Sequence, residues 1–89
     1  MQRQETLDLA RRVRDIRRER FGEDGAPLLA AALDLPLSTW MNYELGITIP
    51  ALVLLRFLQT TSARAEWLLT GNGRRYRPRP RIRVTGTPA

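Results

Sequence analysis

The stretch that most restricts the fold of this chain is residues 28–46, Leu-Leu-Ala-Ala-Ala-Leu-Asp-Leu-Pro-Leu-Ser-Thr-Trp-Met-Asn-Tyr-Glu-Leu-Gly. Its first half reads as a short apolar helix. Asp34-Leu35-Pro36 then forces a tight turn, because aspartate favours turns and proline cannot continue a preceding helix. A second short helix follows and stops at Gly46, which suits a left-handed C-terminal cap. Helices this short are marginal in water alone. The pair must therefore be held by the rest of the chain.

The rest of the chain supplies three more helices. Leu9, Val13 and Ile16 fall at i, i+4 and i+7, which predicts helix 1 over about residues 6–20. Asp8 with Arg12, and Arg11 with Asp15, stand at i, i+4 on its wet side and are expected to pair. Phe21-Gly22-Glu23-Asp24-Gly25 breaks that helix. Asp24 or Gly25 caps helix 2, with Pro27 in its first turn. Helix 3 begins near Pro36. Helix 4 runs from Pro50 to about Gln59 and is apolar nearly all round, so part of it needs cover from helix 5 or from another subunit. Helix 5 covers about residues 64–70, with Trp67 and Leu68 inward, and Gly71-Asn72-Gly73 ends it. The expected organisation is a compact all-α, five-helix domain over residues 1–73. An extended, Arg/Pro-rich flexible tail follows over 74–89.

Charge sharpens this division. All fifteen basic residues are arginine. Nine lie in residues 1–72 with all nine carboxylates, so that segment is neutral; the net charge of +6 sits on Arg74, Arg75, Arg77, Arg79, Arg81 and Arg83. A basic arm of this kind suits a polyanion. The chain has no histidine and no cysteine, which removes the usual general base, thiolate metal sites and disulfides. Asp8, Asp15, Glu19 and Glu23 are spaced for surface pairing with arginine rather than acid–base work. An enzyme, a cofactor, a metal and a small-molecule substrate are therefore not expected. The N-terminus lacks a signal-peptide core, and the longest apolar run, residues 49–55, is too short to cross a bilayer. A cytoplasmic protein without membrane contact is the expectation.

Several landmarks recur in order: the turn at 34–36, Thr39-Trp40-x-Asn42-Tyr43-Glu44-x-Gly46, Pro50, and Trp67-Leu68-Leu69-Thr70-Gly71. Over about residues 7–73 the chain resembles the lambda-repressor-like, Cro-type helix-turn-helix family of prokaryotic and phage DNA-binding proteins. The resemblance implies core positions at Leu29, Ala30, Leu33, Leu35, Trp40 and Tyr43. It also implies a structural ion pair, Arg17 with Glu44, between helices 1 and 3. It further implies a transcriptional regulator that reads double-stranded DNA with helix 3 in the major groove, as a homodimer joined through helices 4 and 5.

At 100° per residue, Trp40 and Tyr43 share one side of helix 3, and Leu37, Ser38, Met41, Asn42 and Leu45 fall on the other. Asn42 suits bidentate pairing with adenine, Ser38 a base or phosphate, and Leu37 or Met41 a thymine methyl. Arg74, Arg75, Arg77 and Arg79 are the tail residues assigned to phosphates. The chain departs from the family pattern in three places. The connection over residues 21–25 is about two residues longer, Ala26 replaces a frequent glutamine, and Ile47-Thr48-Ile49 carries no base. Helix 3 also presents no outward arginine, lysine or glutamine. The alternative reading is thus a protein-interaction module, antitoxin- or adaptor-like, with an apolar recognition face.

Overall fold

The computed structural model describes residues 2–78. Five helices occur among them: α1 Gln2–Phe21, α2 Ala26–Ala32, α3 Leu37–Glu44, α4 Ala51–Thr61 and α5 Ala65–Thr70. The molecule is all-α. The only strand-like feature among these residues is an isolated antiparallel bridge between Ala63 and Tyr76. No described helix is long and apolar enough to cross a membrane.

The predicted stripe on α1 is the one that goes inward. Val13 and Ile16 are fully buried and Leu9 packs at the edge of the core. The helix starts four residues earlier than the stripe required, at Gln2, because an exposed first turn needs no apolar positions. Expected side-chain pairing on its wet side is corrected. Asp8 pairs with Arg11 at 3.3 Å, not with Arg12. Arg12 instead reaches across to α5, where its Nε and Nη2 donate to the carbonyl oxygens of Leu68 (2.7 Å) and Leu69 (3.2 Å). Terminal helix carbonyls have no partner within their own helix, so they draw such cations.

The α1–α2 connection is tight despite its length. Gly25 is buried, and a Cβ there would lie 2.1 Å from the Phe21 carbonyl oxygen. Only glycine allows this approach. The α2–α3 turn is a helix stop built on Asp34, whose φ is 59°. Leu35 N–H donates back to Ala30 (2.9 Å) and Asp34 N–H to Ala31 (3.0 Å), the paired pattern of a Schellman cap. Asparagine and aspartate are the side chains that tolerate this left-handed backbone best after glycine. Pro36 then takes an extended conformation as N-cap of α3 rather than its first helical residue.

The core lies where these elements meet. Leu29, Leu33, Trp40, Phe57 and Leu68 are at most 2 % exposed. Trp40 stacks on Phe57 with ring centroids 5.4 Å apart and meets Tyr43 edge-on at 6.0 Å. The Trp40–Phe57 stack joins α3 to α4. Leu52 and Leu55 of α4 stay exposed (59 % and 49 %), so α5 does not cover the whole of that helix.

The polypeptide after α5 does not leave the body at residue 73. Arg64 N–H donates to the Arg75 carbonyl (2.8 Å) and Arg77 N–H to the Ser62 carbonyl (2.8 Å). Residues 74–78 thus form a strap along the α4–α5 turn. The expectation of a flexible tail from residue 74 thus does not hold for residues 74–78, and residues 79–89 lie outside the described residues.

Candidate nucleic-acid interface

Short helices need an anchor to hold a defined orientation, and α3 has one on its inner face. Glu44, 6 % exposed, accepts from Arg17 Nε (2.9 Å), Arg17 Nη2 (2.8 Å) and Trp40 Nε1 (2.6 Å). The Arg17–Glu44 pair is therefore a bidentate fork in a nearly dry setting. Arg17 Nη1 also donates to the carbonyl oxygens of Gly22 (3.0 Å) and Glu23 (2.7 Å). One guanidinium thereby ties the end of α1 to the end of α3. Its hydrogen bond to Glu44 raises the Arg17 pKa above its ordinary value, against the opposing effect of burial. A planar five-donor group is required for this, and lysine has no equivalent.

With Trp40 and Tyr43 turned inward, the opposite face of α3 points to solvent. Leu37, Ser38, Met41 and Asn42 are all exposed. Leu45 and Ile47 extend this face beyond the helix, 74 % and 59 % exposed. Gly46 makes the exit possible: its φ is 111°, and Ile47 N–H returns to the Asn42 carbonyl (3.1 Å) in a second Schellman cap. The amide of Asn42 and the hydroxyl of Ser38 engage no other described side chain. Met41 and Leu37 flank them, so the surface is two polar groups set in an apolar field.

The four tail arginines assigned to DNA do not share one situation. Arg74 is exposed. Arg75 is committed to the protein: its Nη1 lies 2.9 Å from Glu19, and its guanidinium stands 4.3 Å from the centroid of the Trp67 ring. To reach a phosphate with Nη1 it would have to give up Glu19. Arg77 is tied through its backbone, and its side chain is exposed. Arg79 lies outside the described residues.

Sequence reasoning missed the cluster that holds the strap. The Tyr76 hydroxyl donates to Glu19 Oε1 at 2.5 Å, and the Arg20 guanidinium sits 3.8 Å from the Tyr76 ring centroid. Hydrogen bonds from Tyr76 and Arg75 lower the Glu19 pKa below its ordinary value. Burial, reinforced by the bond to Glu19, raises Tyr76 to about 12. The available signal was the lone tyrosine at 76, an aromatic among arginines where a solvated tail has no need of one.

No described group of three or more carboxylates is placed to hold a metal ion. No protein-family model matches the chain, and no curated protein or solved structure matches it.

Proposed function

We propose that the protein binds double-stranded DNA in a sequence-dependent way, with α3 laid in the major groove and Asn42 and Ser38 against base edges. The observation that carries this reading is the exposed Ser38/Asn42 pair on a helix whose reverse side is locked by the Arg17–Glu44–Trp40 network. Base readout requires donors and acceptors on a rigid element, and this face meets that requirement. Met41 and Leu37 beside them suit thymine methyl groups. Arg74, Arg77 and the arginines that follow supply phosphate contacts that α3 itself lacks. A transcriptional regulator acting as a homodimer on two half-sites is the biological form of this reading.

A second reading rests on a specific observation. The outward side of α3 and its exit carry Leu37, Met41, Leu45 and Ile47, all at least 38 % exposed, and no cation. That composition also fits a protein contact. Selection from a random duplex library with the purified full-length protein separates the two. DNA reading predicts an enriched motif, and Asn42→Ala then costs about 1–3 kcal/mol of preference at one base position. An absence of enrichment together with an absence of duplex binding at low salt refutes DNA reading and leaves the protein contact.

A further inference from the structure

The strap does more than close the fold. Where it passes the ends of α1 and α4 it forms one wall of a cleft of about 460 Å³. Arg20 comes from α1, Thr60 and Ser62 from the end of α4, and Arg77 from the strap. Phe21 adds an apolar side.

The Arg20 guanidinium is fixed in two ways. Its Nε donates to the Thr61 carbonyl at 3.0 Å, and its centre lies over the Tyr76 ring. These contacts use one of its donor nitrogens and orient the plane, and leave both terminal nitrogens unengaged. Arg77 is positioned by its backbone bond to Ser62, while its guanidinium has no partner among the described residues. The hydroxyls of Thr60 and Ser62 likewise make no bond within the described chain. Ser62 sits at a left-handed helix end, φ 62°. No carboxylate lines the cleft, and Glu19, beside Tyr76, is already satisfied by Tyr76 and Arg75. A cleft of about 660 Å³ elsewhere on α1 offers a contrast. It is lined by Glu5 and Asp8, and its single arginine, Arg12, is committed to the end of α5.

Two arginines held on separate elements, two unengaged hydroxyls and no acid make a complementary surface for an oxyanion. We propose that this corner is a phosphate-binding site, with Arg20 and Arg77 as its cationic arms and Thr60 and Ser62 as its hydroxyl donors. The site exists only while the strap is docked, because Arg77 arrives with it. Phosphate binding therefore stabilises the docked strap. The phosphate belongs either to a small phosphorylated ligand or to a nucleic-acid backbone. The proposal does not depend on α3.

The test is a titration of the full-length protein with pyrophosphate, followed through the side-chain Nε resonances of Arg20 and Arg77 and the amide of Ser62. Arg77→Gln retains the strap's backbone bonds and is expected to weaken binding by about tenfold, the worth of one charge-assisted hydrogen bond. Ser62→Gly keeps the left-handed backbone and deletes the hydroxyl, with a smaller loss expected. Arg11→Gln removes the same unit of charge from the exposed side of α1, outside the cleft, and is expected to leave binding within about twofold. Equal weakening by Arg77→Gln and Arg11→Gln, or unmoved cleft resonances at millimolar pyrophosphate, overturns the proposal. Displacement of pyrophosphate by a short duplex assigns the site to a nucleic-acid backbone. Displacement by a mononucleotide but not by the duplex assigns it to a small ligand. Both results stand apart from base selection by Asn42.

Discussion

Glu44 accepts three hydrogen bonds within a dry pocket, so each of its partners depends on the others. Removing one member of a buried charged pair strands the other, which costs about 3–5 kcal/mol. Arg17→Met and Glu44→Gln are each expected to destabilise the fold on this scale by chemical denaturation. Glu44→Gln is the milder, because an amide oxygen still accepts from Trp40 and one arginine nitrogen. An equal loss in both variants would show that charge matters more than hydrogen-bond number. Tyr76 gives a pH signature at the same scale. Its phenol is raised from 10.0 to about 12 in the folded protein, so the folded state holds that proton more tightly than the unfolded chain. Its stabilising contribution is complete below pH 10 and is lost as pH rises toward 12. Denaturation midpoints across this window should fall more steeply for the natural protein than for Tyr76→Phe. Glu19 behaves in the opposite sense. Its lowered pKa means that its contribution is present at neutral pH and is lost in acid, as pH falls through the depressed value.

Among the elements, α1 organises the others. Arg12, Arg17 and Arg20 each reach carbonyls of a different segment: the end of α5, the loop that follows α1, and the end of α4. Three arginines of the first helix thus tie it to neighbouring segments, and Arg20 keeps its two terminal nitrogens unengaged among the described residues. The helix's periodicity marks the Val13/Ile16 face for the core, but nothing in the spacing shows which exposed-side arginines bend across to a neighbouring helix. The strap is the second element whose role came from the tertiary structure. Shortening the chain to residues 1–78 is expected to leave stability unchanged. Shortening it to 1–73 removes two cation–π contacts and the hydrogen bonds to Glu19, which costs about 1–3 kcal/mol. Urea midpoints of the two truncations test this directly, and equal midpoints would mean that the strap contributes nothing to the fold.

For the molecule as a whole, the uneven charge decides how association responds to salt. The segment over residues 1–72 is neutral, and the net charge lies beyond it. Arg75 is engaged with Glu19 and Trp67, so the proposed phosphate contacts rest chiefly on Arg74, Arg77 and the arginines after residue 78. If DNA binding uses them, the slope of log K against log salt should become shallower on truncation to 1–78, by about 0.9 for each phosphate that the shortened chain no longer neutralises. An unchanged slope would exclude the distal arginines from the interface. Five helices, their order, the inward turn of Trp40 and Tyr43, and the stops at Asp34 and Gly46 were readable from the chain alone. Each rests on local rules: helical period, turn chemistry and the freedom of glycine. The destinations of Arg12, Arg20, Arg75 and Tyr76 were not readable. Each of these side chains finds its partner more than forty residues away. Such pairings depend on where folded surfaces come to lie, and that is settled only once the helices have packed.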